Sequence, residues 1–137
     1  MKYWIFSIIL GITLSLPVTA QHDHNKNIES IKVAFITQKL DLTTEESQRF
    51  WPIYNDYQQE FKKLIIEKNK QRKAFKQQTG PPVDELKMET QILELRKRYR
   101  NEFSKVLPKE KALLVYPAER EFRQQLIEQL QKRNQKK

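Results

Sequence analysis

Beyond residue 20 the chain holds a single glycine, Gly80. Glycine reaches positive φ without steric cost, and many-stranded sheets and nucleotide-binding loops need such positions repeatedly. A 137-residue chain with so few of them cannot be a β-sandwich or a phosphate-cradling α/β fold. Gln, Glu, Lys, Arg and Leu, all good helix formers, dominate instead. No stretch alternates with period two for long enough to make a strand, so the expected class is all-α. Cysteine is absent, which excludes disulfides, thiolate zinc sites, a thiol nucleophile and a lipid-anchor cysteine.

The N-terminus predicts where the chain works. Met1-Lys2 is a short positive region, Ile5 to Leu16 is a run of apolar and small residues, and Pro17 precedes Val18-Thr19-Ala20. This is the layout of a secretory signal, residues 1–20, cleaved after Ala20. The rival reading is an uncleaved anchor, since residues 3–22 carry no formal charge. Pro17, Thr13 and Ser15 weaken such a span. Cleavage removes only Lys2 from a formal charge of +9, so the exported chain stays strongly basic. The expected location is the periplasm, where nucleic acid is not a working partner. An acidic protein or an anionic membrane surface remains open to it.

Four helices are expected in one domain spanning 28–131, between a disordered segment 21–27 and a basic disordered tail 132–137. The first helix runs from Ile28 to Lys39, with Ile31, Phe35 and Leu40 inward. The second opens at Leu42-Thr43-Thr44-Glu45-Glu46, where Thr43 caps and Glu46 completes a capping box. Its inward stripe is Phe50, Tyr54, Tyr57, Phe61 and Leu64. Thr79-Gly80-Pro81-Pro82 ends it and makes the tip of a long central hairpin. A third helix starts near Asp84, with Leu86, Leu93, Tyr99, Phe103 and Val106 inward. A fourth begins at Pro108 and carries Leu114, Phe122, Leu126 and Leu130.

A shift of 65 residues superposes the second and fourth helices. Leu42 falls on Leu107, Glu45 on Glu110, Trp51-Pro52 on Tyr116-Pro117, Tyr57 on Phe122, and Phe61 on Leu126. Proline within a helix costs about 3 kcal/mol and bends it. Two equivalent prolines, with apolar stripes that continue past them, predict two helices kinked at the same place.

A duplicated Leu-Thr-x-x-Gln-type motif opening helices in a small exported protein resembles the Spy/CpxP-like periplasmic proteins. The stretch from Ile31 to Thr43, followed by Phe50-Trp-Pro-Ile-Tyr-Asn, is similar to a Bacteroidota branch. Members of that branch are labelled sensors of ECF-type sigma factors or periplasmic heavy-metal sensors. The resemblance covers Asn27 to Leu130. Two departures stand out: Glu46 replaces the motif glutamine, and Leu107-Pro108-Lys109-Glu110-Lys111 keeps only the leucine. The resemblance implies a curved, cradle-like four-helix protein, commonly a homodimer. Its implied work is to hold unfolded envelope proteins without ATP, or to restrain an envelope signalling protein, without a cofactor.

Three groups of residues could carry chemistry. His22 and His24 flank Asp23 next to the expected new amino terminus, where an amine and imidazoles can chelate Cu(II) or Ni(II). This is the basis of an alternative metal-binding or metal-sensing role. Glu45, Glu46, Asp56 and Tyr54 are read as cap and solvated-face residues, and no enzyme is expected. A basic surface on the hairpin is expected from Lys62, Lys63, Arg72, Lys73, Arg96, Arg98 and Arg100, with Tyr99 among them. Like charges so gathered repel one another unless an anionic partner covers them.

Overall fold

The computed structural model describes residues 20–135, with side chains from residue 27 onward. The described residues form four helices and no strand: α1 (Ala20–Lys39), α2 (Thr44–Lys76), α3 (Glu85–Val106) and α4 (Lys109–Asn134). Of the expected signal segment, residues 1–20, all but Ala20 lie outside them. Two helix ends extend further than the sequence reading placed them. The backbone of 21–27 is part of α1, and α4 continues through 132–134.

Each helix boundary has a local cause. Thr43 accepts from the Glu46 N–H while Glu46 accepts from the Thr43 N–H at 2.9 Å, so the capping box forms as read. Asp84 caps α3 by accepting from the Lys87 N–H. Pro108 stands at the start of α4 and offers no side-chain cap. Pro52 and Pro117 both lie inside continuous helices, where neither can donate to the carbonyl one turn earlier. Helices α1 and α2 end in matching Schellman motifs, with left-handed Asp41 (φ 48°) and Gln78 (φ 57°) at the position that usually takes glycine. The defining bonds are present in both. Leu42 N–H reaches Thr37 O and Asp41 N–H reaches Gln38 O, while Thr79 N–H reaches Ala74 O and Gln78 N–H reaches Phe75 O. Gly80 itself has no positive φ. Its lack of a side chain serves closeness, because a Cβ there would stand 3.1 Å from the Ala74 Cβ, a tight contact.

At about 1.5 Å per residue, the 33 residues of α2 span roughly 50 Å. α2 packs chiefly on α3, and α1 on α4. Phe50 against Phe103, Glu60 against Arg98 and Arg72 against Glu85 show that α2 and α3 are antiparallel. Phe35 meets Phe122 with ring centroids 5.6 Å apart, and Lys39 meets Glu121, so α1 is antiparallel to α4.

The core gathers Ile36 and Leu40 of α1, Phe50, Tyr54 and Tyr57 of α2, Leu95, Tyr99 and Phe103 of α3, and Ala112, Val115 and Ala118 of α4, with Leu107 between helices. Its centre is aromatic. Tyr57 lies 5.4 Å from Tyr99 and 5.5 Å from Tyr116 between centroids, and such pairs contribute about 0.5–1.5 kcal/mol each beyond their buried area. The α2 stripe is as expected. Elsewhere the reading holds in part: Leu40, Tyr99 and Phe103 are buried as expected, but Ile36 is buried and Ile31 exposed, and Met88 and Leu95 are buried while Leu86 (77 % exposed) and Leu93 face outward. On α4, small Ala112 and Ala118 are inward and Leu114 and Leu130 outward.

A left-handed L-residue costs about 1–2 kcal/mol relative to its right-handed form, more for Gln than for Asp. Gln78→Gly, which also frees the unfolded chain, is therefore expected to stabilise the protein by about 0.5–1 kcal/mol. Asp41→Gly should gain less. Urea midpoints at constant slope check both.

Candidate functional site

The 65-residue repeat has a physical counterpart. Glu46 pairs with Lys111 at 2.8 Å and Tyr54 donates to Glu119 at 2.7 Å, so equivalent positions of α2 and α4 face each other. The two helices therefore run parallel and in register. Lys111 occupies the place that Glu46 holds in the first copy, and it becomes that glutamate's partner.

Glu119 is 8 % exposed, the one buried charged residue among the described ones. Tyr54 Oη donates to Oε1, Tyr57 Oη donates to Oε2 at 3.3 Å, and Gln58 Nε2 donates to Oε1. A carboxylate removed from water needs such donors to offset its desolvation. Arg96, half-buried, lies 5.6 Å from the ring centroids of both Phe61 and Tyr116. Its backbone carbonyl accepts from Tyr116 Oη at 2.7 Å, while its buried Nε has no hydrogen-bond partner among the described residues. This cluster belongs to the interior. Neither of the grooves described next is lined by Tyr54, Tyr57 or Glu119.

Two grooves run along the α2–α3 hairpin. The larger, of about 880 Å³, has Leu64 and Leu95 at its floor and Glu60, Lys63, Thr90, Gln91, Glu94 and Arg98 around them. Exposed Ile66 and Leu93 lie close by in sequence on its two arms. The smaller, of about 420 Å³, is at the tip, between Arg72, Phe75 and Lys76 of α2 and Pro82, Val83 and Glu85.

The expected basic surface is divided by the fold. Arg96 and Tyr99 are drawn inward, and Tyr99 donates to Glu60 at 2.7 Å. Arg98 pairs with the same glutamate. Arg72 and Lys68 both reach Glu85, at 2.7 and 2.6 Å. Lys62, Lys63, Lys73 and Arg100 are exposed. His22 and His24 fall within α1, outside the residues whose side chains are described. No group of three or more His, Cys, Asp or Glu among the described residues is placed to hold a metal ion. Glu119 and the groove residues Thr90 and Gln91 escaped the sequence reading. For Glu119 a signal existed, because the repeat sets it on Tyr54, a core position.

The chain matches no family model, and no curated protein and no solved structure is similar to it.

Burial raises the Tyr54 phenol, helped by the nearby Glu119 charge, and raises Tyr116. Burial first, then Glu119, pushes Tyr57 up to about 12; burial, then the bond to Glu60, pushes Tyr99 up to about 12. Glu46 is lowered by its bonds to Lys111 and Thr43, Glu60 by Tyr99 and Arg98, and Glu85 by Lys68 and Arg72.

These shifts set both pH limits. A raised phenol stabilises the fold below the ordinary tyrosine value of 10.0, and that contribution is lost as pH climbs from there toward 12. A lowered carboxyl stabilises above 4.5 and loses its contribution as pH falls below it. Denaturant midpoints should therefore be flat between these limits and fall on either side, with tyrosinate absorbance appearing together with alkaline unfolding. Tyr54→Phe leaves Glu119 short of a donor, and is expected to cost about 1–3 kcal/mol in urea unfolding at neutral pH.

Proposed function

We propose that this is an exported, non-enzymatic envelope-stress protein of Spy/CpxP-like kind, which holds unfolded envelope proteins on its α2–α3 hairpin without ATP. Export rests on the N-terminal layout, and the kinship on the duplicated motifs. The observation that carries the binding role is the open groove of about 880 Å³. It joins an apolar floor, Leu64 and Leu95, to side chains of both signs, Lys63 and Arg98 against Glu60 and Glu94. Exposed Ile66 and Leu93 extend its apolar surface. An unfolded segment presents apolar and charged groups in no fixed order. A shallow mixed surface engages such segments by burying apolar area, and its charges hold them without demanding one sequence. The same surface could restrain a signalling protein, which would present one folded face to it.

Equimolar protein should suppress aggregation of a denatured client without ATP, and less well at high salt, where charge contacts are screened. Ile66→Ser with Leu93→Ser should raise the amount needed by roughly threefold or more, since both apolar contacts are lost. Neither residue belongs to the core, so circular dichroism should stay helical. Absence of suppression at several-fold excess would sink the holding role.

A further inference from the structure

We propose that the tip of the α2–α3 hairpin is a docking element for the surface of an anionic lipid bilayer. The proposal concerns a different surface from the client groove and stands whether or not clients bind there. Leu64 and Phe75 are about three helical turns, roughly 16 Å, apart along α2.

Three observations carry it. The first is where the tip lies relative to the core: no residue between 65 and 94 belongs to the core cluster or packs against it. The tip nonetheless shows large apolar side chains, Phe75 at 51 % and Leu86 at 77 % exposed, beside exposed Pro81 and Pro82. Phe75, Pro82 and Val83 line the tip groove, with Arg72 and Lys76 at its rim.

The second is the arrangement of cations. Lys70, Lys73 and Lys76 are spaced by three on α2, which winds them over roughly a third of its circumference toward the tip, and Lys87 lies in the first turn of α3. All four are exposed.

The third is where the acidic groups point. Asp84 is engaged by the Lys87 N–H, and Glu85 by Lys68 and Arg72. With exposed Glu89 counted as well, the cations between residues 70 and 89 (Lys70, Arg72, Lys73, Lys76 and Lys87) still outnumber the acids (Asp84, Glu85 and Glu89), so the tip carries a net positive charge.

Exposed aromatic and aliphatic side chains at a hairpin tip that also carries lysines match a bilayer interface. The apolar groups enter the boundary between headgroups and acyl chains while the amines remain at the phosphates. Lysines near an anionic surface each add to the attraction, within a Debye length. A bilayer that takes the tip end-on can meet apolar groups and lysines on several sides of the hairpin, whereas an acidic peptide has no need of Phe75 and Leu86.

Co-sedimentation with vesicles of phosphatidylcholine, alone or mixed with phosphatidylglycerol, tests this. It is run on the full chain and on the chain from Gln21, which keeps every core residue. Both forms should bind the anionic vesicles and leave the neutral ones, and binding should weaken with salt. The triple variant K70E/K73E/K76E should bind at least roughly tenfold more weakly, as the loss of three cations at the surface requires. Phe75→Ser with Leu86→Ser should also weaken binding severalfold while the salt dependence persists. Equal binding to neutral vesicles, undiminished binding by the triple variant, or binding confined to the full chain would each overturn the proposal. So would polyglutamate binding as tight as vesicle binding and indifferent to Phe75 and Leu86, which would make the tip a site for acidic polypeptide.

Discussion

A buried carboxylate joins the two halves of this protein. α2 and α4 are not neighbours in the chain and share little backbone contact, yet Glu119 draws Tyr54, Tyr57 and Gln58 onto a single group. An unpaired buried carboxylate would be strongly destabilising, so only an arrangement that brings these donors from α2 to α4 is acceptable. Apolar packing alone would tolerate a slip of α4 by a turn; a buried acid that needs three donors does not. The aromatic core is arranged around that bond, with Tyr57 touching Tyr99 on α3 and Tyr116 on α4.

The repeat shows how such a bond can arise. Positions 65 residues apart share burial as well as spacing: Phe50 and Val115 are buried, Trp51 and Tyr116 half-buried, and both prolines exposed. Where the two copies face each other at equivalent positions, identical side chains would meet, and identical charges would repel. The sequence departs from symmetry at those places. Glu46 faces Lys111 rather than another glutamate, and Tyr54 faces Glu119 rather than another tyrosine. Loss of the capping residue in the second motif is then the other side of a new contact. Lys111 cannot act as Glu46 does, and it closes the opposite half of an ion pair instead.

This division explains what could be read from the chain and what could not. The four helices, the capping box at Thr43 and the α2 stripe follow from local rules and were legible. The inward face of α3 was legible at Tyr99, Phe103 and Val106 but not in its first half, where the apolar residues form two interleaved stripes. Leu86 and Leu93 compete there with Met88 and Leu95, and only the position of α2 selects the second pair. Taking the leucines Leu86 and Leu93 as inward picks the wrong face in that half. Glu119 was passed over and Arg96 was read as surface for a related reason: a charged residue on an amphipathic helix reads as solvated unless its partners are known. The left-handed Asp41 and Gln78 were invisible because composition suggests glycine for that geometry, and the Schellman bonds form without it. The groove on the hairpin was legible only as a run of basic residues, and its balance of charge came from Glu60 and Glu94 on facing helices.

The same packing divides the molecule into a part that is fixed and a part that is not. Core residues lie on α1, on α4 and on the ends of α2 and α3 nearest them, and they stop at Leu64 and Leu95. Beyond that level the hairpin is held by α2 and α3 alone, through Met88, the two cations on Glu85 and the close approach of Gly80 to Ala74. Few buried apolar contacts mean low local stability, and the outer hairpin should open far more often than the base. Exposed Ile66, Phe75, Leu86 and Leu93 all lie in that outer part. Apolar groups on a weakly fixed arm can adjust to differing surfaces without disturbing the core. The buried clasp at Glu119 is what allows the arm to be loose, because the fold does not depend on it.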